Sequence, residues 1–268
     1  MAKVSQKFFN IAGPCVPTEH YMLPAVERLP DLKYLFLTKS YFVLHAPRQS
    51  GKTTAIMAMV NEINRGDDYY ALYLDLESLE RISDLPTGLS NIIKKIFKSL
   101  NNSGIRELSE SFIGIAEFDP KNPDGLTPDR IAHEILPTLG DAVASTLQAI
   151  CNKLDRDLLI FFDEIDTLSG DILVTFLRQL REGFNVRSTT PFPRSIALIG
   201  MRNIHDYRDR IRPDSESLGS SSPFNIIKKA FSLHNFTSAE VKTLYAQHTA
   251  ATGQIFEPEA VDRVMFWT

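Results

Sequence analysis

The sequence predicts an α/β fold: a parallel sheet covered on both faces by helices, a three-layer sandwich. Three observations carry this. Apolar runs of strand length alternate with stretches of helical spacing. The runs are apolar at successive positions, as burial on both faces of a sheet demands. Polar residues gather where the runs end, and ligands bind at that edge of a parallel sheet.

Residues 22–37 open the chain's regular structure with a loosely helical spacing. "YFVLHA", Tyr41 to Ala46, is aromatic or β-branched at several positions and bounded by Pro47, which reads as a buried strand. "TTAIMAMVNEIN", Thr53 to Asn64, reads as a helix closed by Gly66, and Tyr69 to Leu76 as a second strand. A helical pattern over 87–101 is followed by a polar segment, 102–126, bracketed by "NNSG" and "DPKNPDG" and expected to be an insertion. Helical spacing returns from Pro128 to Leu154, and the third strand, Leu158 to Phe162, runs straight into Asp163. A helix from Gly170 to about Glu182 and a fourth strand, Ser195 to Ile199, complete the alternation.

The character then changes. The predicted organisation is a core over 1–212, a Ser-rich linker over 213–224 and a helical lid over 225–268. Within the lid, Thr237 to Glu240 form a capping box, with Phe236 placed to staple against Val241. Val241, Leu244 and Tyr245 give that helix its apolar face, and Gly253 is placed to end it. Pro258 opens a last helix with Val261, Val264, Met265 and Thr268 along one face. No closing signal follows it, so the lid is expected to continue beyond Thr268, with Trp267 exposed.

Composition narrows the function classes. With 43% apolar and 23% charged residues the chain is ordinary globular protein, not a disordered segment. Apolar runs such as Ala55 to Val60 fall far short of the about 20 residues that cross a bilayer. Near the N-terminus the apolar stretch is interrupted at Asn10 and broken by Gly13 and Pro14, unlike a signal peptide. Cys15 and Cys151 are the only cysteines, which indicates neither a disulfide framework nor a zinc site, and a cytoplasmic protein is expected. A net charge of −4 gives no footprint for nucleic acid, without excluding it, and the lysines of Ile227 to Lys229 read as a solvated face. The histidines, His20, His45, His133, His205, His234 and His248, show no metal-ligand spacing, so each reads as a structural or surface residue. His20 alone lies where a purine base could stack.

The chemistry is concentrated in "APRQSGKTT", Ala46 to Thr54. A phosphate-binding loop needs successive backbone amides around the phosphate oxygens, a lysine for the terminal phosphates and a hydroxyl for magnesium. Gly51 permits close backbone approach, Lys52 is the cationic arm and Thr53 the metal ligand, and Pro47, Arg48, Gln49, Ser50 and Thr54 complete the cradle. Ala46 stands where such a loop usually opens with glycine, a replacement that a negative φ would allow. A strand before the loop and a helix after it is the context that separates this motif from a chance "GKT".

A second constellation is "LLIFFDEID", Leu158 to Asp166. Asp163 at the strand tip can hold the magnesium shell, and Glu164 can orient water against a γ-phosphate. Asp166 reads as a turn or capping residue, and Asp155 and Asp157 as exposed. The third is "SIALIGMRN", whose tip is expected beside those acids, with Asn203 polarising the water or reading the γ-phosphate and Arg202 contacting phosphate or relaying the state outward.

Together, "APRQSGKTT", "FFDEID" and "GMRN" with a capped helical unit behind them resemble the AAA+ or STAND-type P-loop ATPases. "FFNIAGPCVPTEHYMLP", "GMRNIHDYR" and "SSPFNI" extend the resemblance over nearly the whole chain to a group of bacterial AAA ATPases. The resemblance implies a P-loop NTPase sandwich that uses ATP and Mg2+. It places Lys52 and Thr53 in the Walker A role, Asp163 and Glu164 in the Walker B role, and Asn203 as sensor 1. Alanine at the place of Ala46 is frequent in that group. The resemblance also implies a sensor 2 residue beyond Thr268 and an arginine finger, for which Arg187, Arg194, Arg208, Arg210 and Arg212 all remain candidates, in self-association or from a protein partner. Three readings follow: an ATP hydrolase driving a conformational switch, a signalling-type switch that holds ATP or ADP with little turnover, and a P-loop phosphotransferase. The adjacent Asp163 and Glu164 favour hydrolysis over transfer.

Overall fold

The computed structural model describes residues 7–29, 31–47, 49–103, 140–168, 170–200 and 226–267. Its elements in chain order are α1 (Ala25–Arg28), α2 (Leu32–Leu37), β1 (Tyr41–His45), α3 (Lys52–Arg65), β2 (Tyr69–Asp75), α4 (Leu85–Asn102) and α5 (Ala142–Lys153). They continue with β3 (Asp157–Asp163), α6 (Gly170–Val186), β4 (Ser195–Gly200), β5 (Ile227–Ser232), α7 (Ser238–Thr252) and α8 (Pro258–Trp267). Two compact units divide the chain. One comprises Asp31–His45 and Val60–Ser232, the other Met1–Pro30, Ala46–Met59 and Leu233–Thr268.

The first unit is the sheet. Its strands are all parallel, in the order β2-β3-β4-β1-β5. Successive strand residues point to opposite faces, and both sets are buried. Val43, Leu72, Ile160, Phe162 and Leu198 join one core with Ile92 and Ile96 of α4, Leu147 of α5 and Phe176 of α6. On the opposite face Phe161 meets the Phe36 ring of α2 edge-on, with centroids 6.1 Å apart. Burying a Leu, Ile or Phe side chain contributes about 1.5–3 kcal/mol, which is why uninterrupted apolar runs make such strands.

The helices show how local sequence and packing share the work. Asp84 caps α4, its carboxylate accepting the Thr87 amide at 2.9 Å. Asp141 at the start of α5 makes no side-chain cap bond. Instead the buried Gln179 of α6 reaches across, its Oε1 accepting the amides of Val143 at 2.7 Å and Ala144 at 3.2 Å. That satisfies two donors of the first helical turn that burial would otherwise orphan.

The expected elements are present, with ends shifted by one to a few residues, and one correction. Residues after 225 were expected to be helical, yet Ile227–Ser232 is a strand paired in parallel with β1. Its composition hid it because β5 is an edge strand among the described residues: Lys228 and Lys229 are exposed, and only Ile227 and Phe231 are partly covered. Lysines on an edge oppose pairing with another chain. Lys229 also pairs with Asp31 at 3.2 Å. The insertion at 102–126 beyond Ser103, the start of the helix from Pro128, the Ser-rich segment and the Trp267 side chain lie outside the described residues.

The second unit gathers the N-terminal segment, residues 46–59, and the helices α7 and α8. Its capping box is complete: the Thr237 hydroxyl accepts the Glu240 amide at 3.2 Å, and Glu240 accepts the Thr237 amide at 2.7 Å. Gly253 ends α7 at φ 78°, its amide on Thr249 at 2.8 Å. Phe9 lies against Tyr21, Tyr245 and His248, with centroids 5.0, 5.1 and 5.4 Å away. Gln247 fastens the same segment through both backbone groups of Met22.

The capping box carries a pH signature. Burial opposes ionisation of Glu240, but hydrogen bonds from Thr237 and the Arg28 charge outweigh it and hold the carboxyl below the usual range. A depressed folded pKa contributes stability that is present above the unfolded value, about 4.3, and is lost as pH falls through the folded one. Thermal stability should therefore fall more steeply between about pH 5 and pH 3 in the natural chain than in Glu240→Gln. Parallel slopes in thermal melts would contradict this.

Candidate functional site

The phosphate-loop sequence occupies the predicted setting, a strand before it and a helix after it. β1 ends at His45, and α3 begins at Lys52. Ala46 is buried and is not among the residues with positive φ. The left-handed turns fall instead at Gln49, φ 62°, and Gly51, φ 78°. An alanine suffices at the opening because the conformation that needs glycine lies further along. At Gly51 that need is double, since a Cβ there would also sit 3.2 Å from Arg28 Nη1 and 3.4 Å from the Phe236 ring.

Ser50 is buried and donates from its hydroxyl to the Pro47 carbonyl at 2.9 Å, closing the loop on itself. Starting α3 at Lys52 puts the end of the loop at the positive end of the helix dipole. Lys52 is only 7% exposed. The Thr54 hydroxyl accepts the Cys15 amide at 3.0 Å, so the residue assigned to the cradle also anchors the N-terminal segment. Arg48 lies outside the described residues.

The acidic tip belongs to the sheet unit. Asp163 is the last residue of β3 and fully buried, in register with Asp75 at the tip of β2. Its carboxylate accepts the Tyr73 hydroxyl at 3.0 Å on one oxygen and the Glu164 amide at 2.9 Å on the other. Both bonds fix its orientation. Glu164 leaves the strand in the left-handed region, φ 56° and ψ 42°, and is only partly buried. Such a conformation costs a non-glycine residue about 1–2 kcal/mol and is a form of strain that gathers at functional sites. Thr167 steadies the turn, its amide on the Glu164 carbonyl at 3.1 Å. Asp166 falls within that 3-10 turn, as expected.

β4 pairs with β3 on one side and β1 on the other, so its tip adjoins the acidic strand as the sequence predicts. Arg202 and Asn203 themselves lie outside the described residues, as do Arg208, Arg210 and Arg212. Arg194 is held by Asp157, the Phe36 carbonyl at 2.7 Å and the Leu37 carbonyl at 3.2 Å. Arg187 donates to the Lys39 carbonyl at 2.8 Å and lies on the Phe184 ring. Both arginines serve contacts among strand starts and the preceding turns.

His20 takes the structural role read for the histidines, not the base-stacking one. Its ring is buried, Nδ1 accepts the Val16 amide at 2.7 Å, and Phe8 covers it edge-on. It organises a turn and presents no open face for a base. Among the described residues no group of His, Cys, Asp or Glu is arranged as a metal site, and both cysteines are free thiols. Burial pushes the Cys151 thiol well up, against thiolate chemistry.

No family model matches the chain, and no curated protein sequence does. Among solved structures the chain is similar to the Walker-type ATPase of Pyrococcus abyssi, with 14% identity and a TM-score of 0.62 over 95% of this chain and 65% of that one. It is also similar to the ORC2 protein of Aeropyrum pernix in its ADPNP-ADP complexes, at 13% identity and a TM-score of 0.48 over 88% of this chain and 53% of that one. The ORC1 protein of the same organism, in complex with DNA, gives 13% and 0.47 over 86% and 50%. The chain thus spans less than two thirds of the length of these neighbours. The likeness to the first shows the fold alone, an α/β P-loop NTPase sandwich: among the described residues, a parallel five-stranded sheet with flanking helices.

Proposed function

We propose that the chain binds ATP with Mg2+ and hydrolyses it, using the nucleotide state to move its helical lid as a switch. The observation that carries this reading is the strand, loop and helix over 41–65, with Gly51 left-handed and a buried Lys52 opening the helix. A loop whose left-handed Gly51 leaves little room for a Cβ and runs directly into a helix N-terminus fits phosphate oxygens. In this reading the cradle is Ala46 to Thr54, and Lys52 neutralises the β and γ phosphates. Thr53 and Asp163 would hold the metal, a hydroxyl and a carboxylate being the oxygen donors Mg2+ prefers. When bound, Mg2+ supplies positive charge to the phosphate oxygens.

Hydrolysis then asks three things of the chain. Glu164 accepts a proton from water as the water oxygen bonds to the γ-phosphorus, and the bond to the bridging oxygen breaks to release ADP. Asn203 polarises the water or reads the γ-phosphate. Asp163 stays fixed by Tyr73 and the Glu164 amide throughout. The domain plan of core, linker and lid and a cytoplasmic location belong to the same reading. Among the described residues no helix is long and apolar enough to cross a membrane.

Steady-state phosphate release from ATP and Mg2+ tests it. An arginine from a neighbouring molecule is worth about 10³ to 10⁵ in rate, and Arg187 and Arg194 already have structural partners. Turnover should therefore be slow and rise with protein concentration or with an added partner. Flat specific activity over a wide dilution series argues against a finger in trans, and tight ATP binding without phosphate release selects the signalling-type switch.

A further inference from the structure

Arg28, the last residue of α1, has a side chain only 5% exposed and makes directed contacts to two other parts of its unit. Nη1 donates to the Ser50 carbonyl at 2.6 Å, Nη2 to the His234 carbonyl at 2.7 Å, and Nε to Glu240 Oε1 at 3.2 Å. Its flat face rests on the Phe236 ring, 4.1 Å from the centroid. The planar guanidinium fork can serve all of these at once, and a lysine ammonium cannot reproduce that geometry.

The contact to Ser50 reaches the loop itself. A trans peptide is planar, with its C=O and N–H pointing in opposite directions. Holding the Ser50 carbonyl therefore sets the direction of the Gly51 amide, one of the donors of the phosphate cradle. Gly51 makes the approach possible, since a Cβ there would lie 3.2 Å from Nη1. At its other end the guanidinium holds Glu240, whose second oxygen closes the capping box of α7. One rigid group thus touches the orientation of a loop amide and the first turn of the lid helix.

We propose that Arg28 is a positioning residue that couples the phosphate loop to α7, so that phosphate on the loop amides alters the order of the first turn of α7. The coupling rests on the nucleotide-site reading above and assigns that site a regulatory output. A phosphate oxygen bonded to the Gly51 amide stiffens the Ser50–Gly51 peptide. That steadies the guanidinium and, through it, the Glu240 carboxylate and the Thr237 cap.

The test uses ADP with Mg2+ as probe, calorimetry for affinity, and hydrogen exchange of residues 237–244 with and without saturating ADP. In the natural chain ADP should raise protection of this turn. Arg28→Lys should bind ADP about tenfold more weakly, the loss of one charge-assisted hydrogen bond, and show no α7 response at saturation. Glu240→Gln should keep ADP affinity within a few-fold and also lose the response. Lys52→Ala should lose binding while its nucleotide-free α7 protection stays that of the natural chain. A full α7 response in Arg28→Lys overturns the coupling. If Arg28→Lys does not fold, Glu240→Gln decides alone, a full response again overturning it. ADP binding by the natural chain with no α7 response overturns the coupling and leaves the nucleotide site standing. No binding by either the natural chain or Lys52→Ala removes both.

Discussion

Lys52→Ala is expected to abolish tight ATP binding while leaving the fold in place. The side chain starts α3 directly after the left-handed Gly51 and is only 7% exposed, so its ammonium acts where water screens little. One charge pair about 4 Å apart at an effective dielectric near 20 is worth about 4 kcal/mol, which corresponds to about a thousandfold in affinity. The helix itself should tolerate the change, since alanine has the highest helix propensity. Calorimetric titration with ATP, beside a thermal melt to check the fold, measures both halves of the expectation. Unchanged affinity would sink the assignment of the loop.

The setting of that loop, between a strand and a helix, was legible because its determinants are contiguous: the glycine, lysine and threonine proposed to give it its chemistry are adjacent in the chain. The strands were legible for a different reason. Burial on both faces forces unbroken apolar runs, and Leu158 to Phe162 is one in which every side chain is buried. What the pattern missed were polar strand ends. Asp157 pairs with Tyr69 and so belongs to β3, although it is exposed and charged. β5 escaped altogether, because an edge strand with one neighbour needs little apolar surface and carries lysines.

The site's supporting residues were illegible for a physical reason. Arg28 acts largely through the carbonyls of Ser50 and His234, and every residue has a carbonyl, so no residue type marks its targets. Tyr73 reaches Asp163 across two adjacent strands, 90 positions apart in sequence. Only the strand register brings them together. Whether alanine fits at position 46 turns on backbone conformation, which a sequence states only where glycine is obligatory; Ala46 has no positive φ. The structural reading of His20 holds because the turn at Val16 to His20 uses its ring nitrogen as a local acceptor.

Glu164→Gln should separate binding from chemistry. Glutamine keeps the size of the side chain and the left-handed backbone demand at φ 56°, so the turn held by Thr167 is not disturbed. What disappears is the carboxylate that takes the proton from water, and turnover should drop about 10²-fold or more while ATP affinity persists. Asp163→Ala is the informative contrast. It removes the carboxylate that accepts the Tyr73 hydroxyl and the Glu164 amide, both part-buried bonds, at a cost of about 1 kcal/mol of stability, and should weaken the Mg2+-dependent part of binding. The two neighbouring acids are thereby distinguished by what they lose: the buried one by metal dependence and stability, the left-handed one by rate alone. Single-turnover phosphate release and ATP titration with and without Mg2+ resolve the two patterns. Hydrolysis by Glu164→Gln at the natural rate would place the general base on another residue, and the strained backbone at Glu164 would then need a structural explanation instead of a catalytic one.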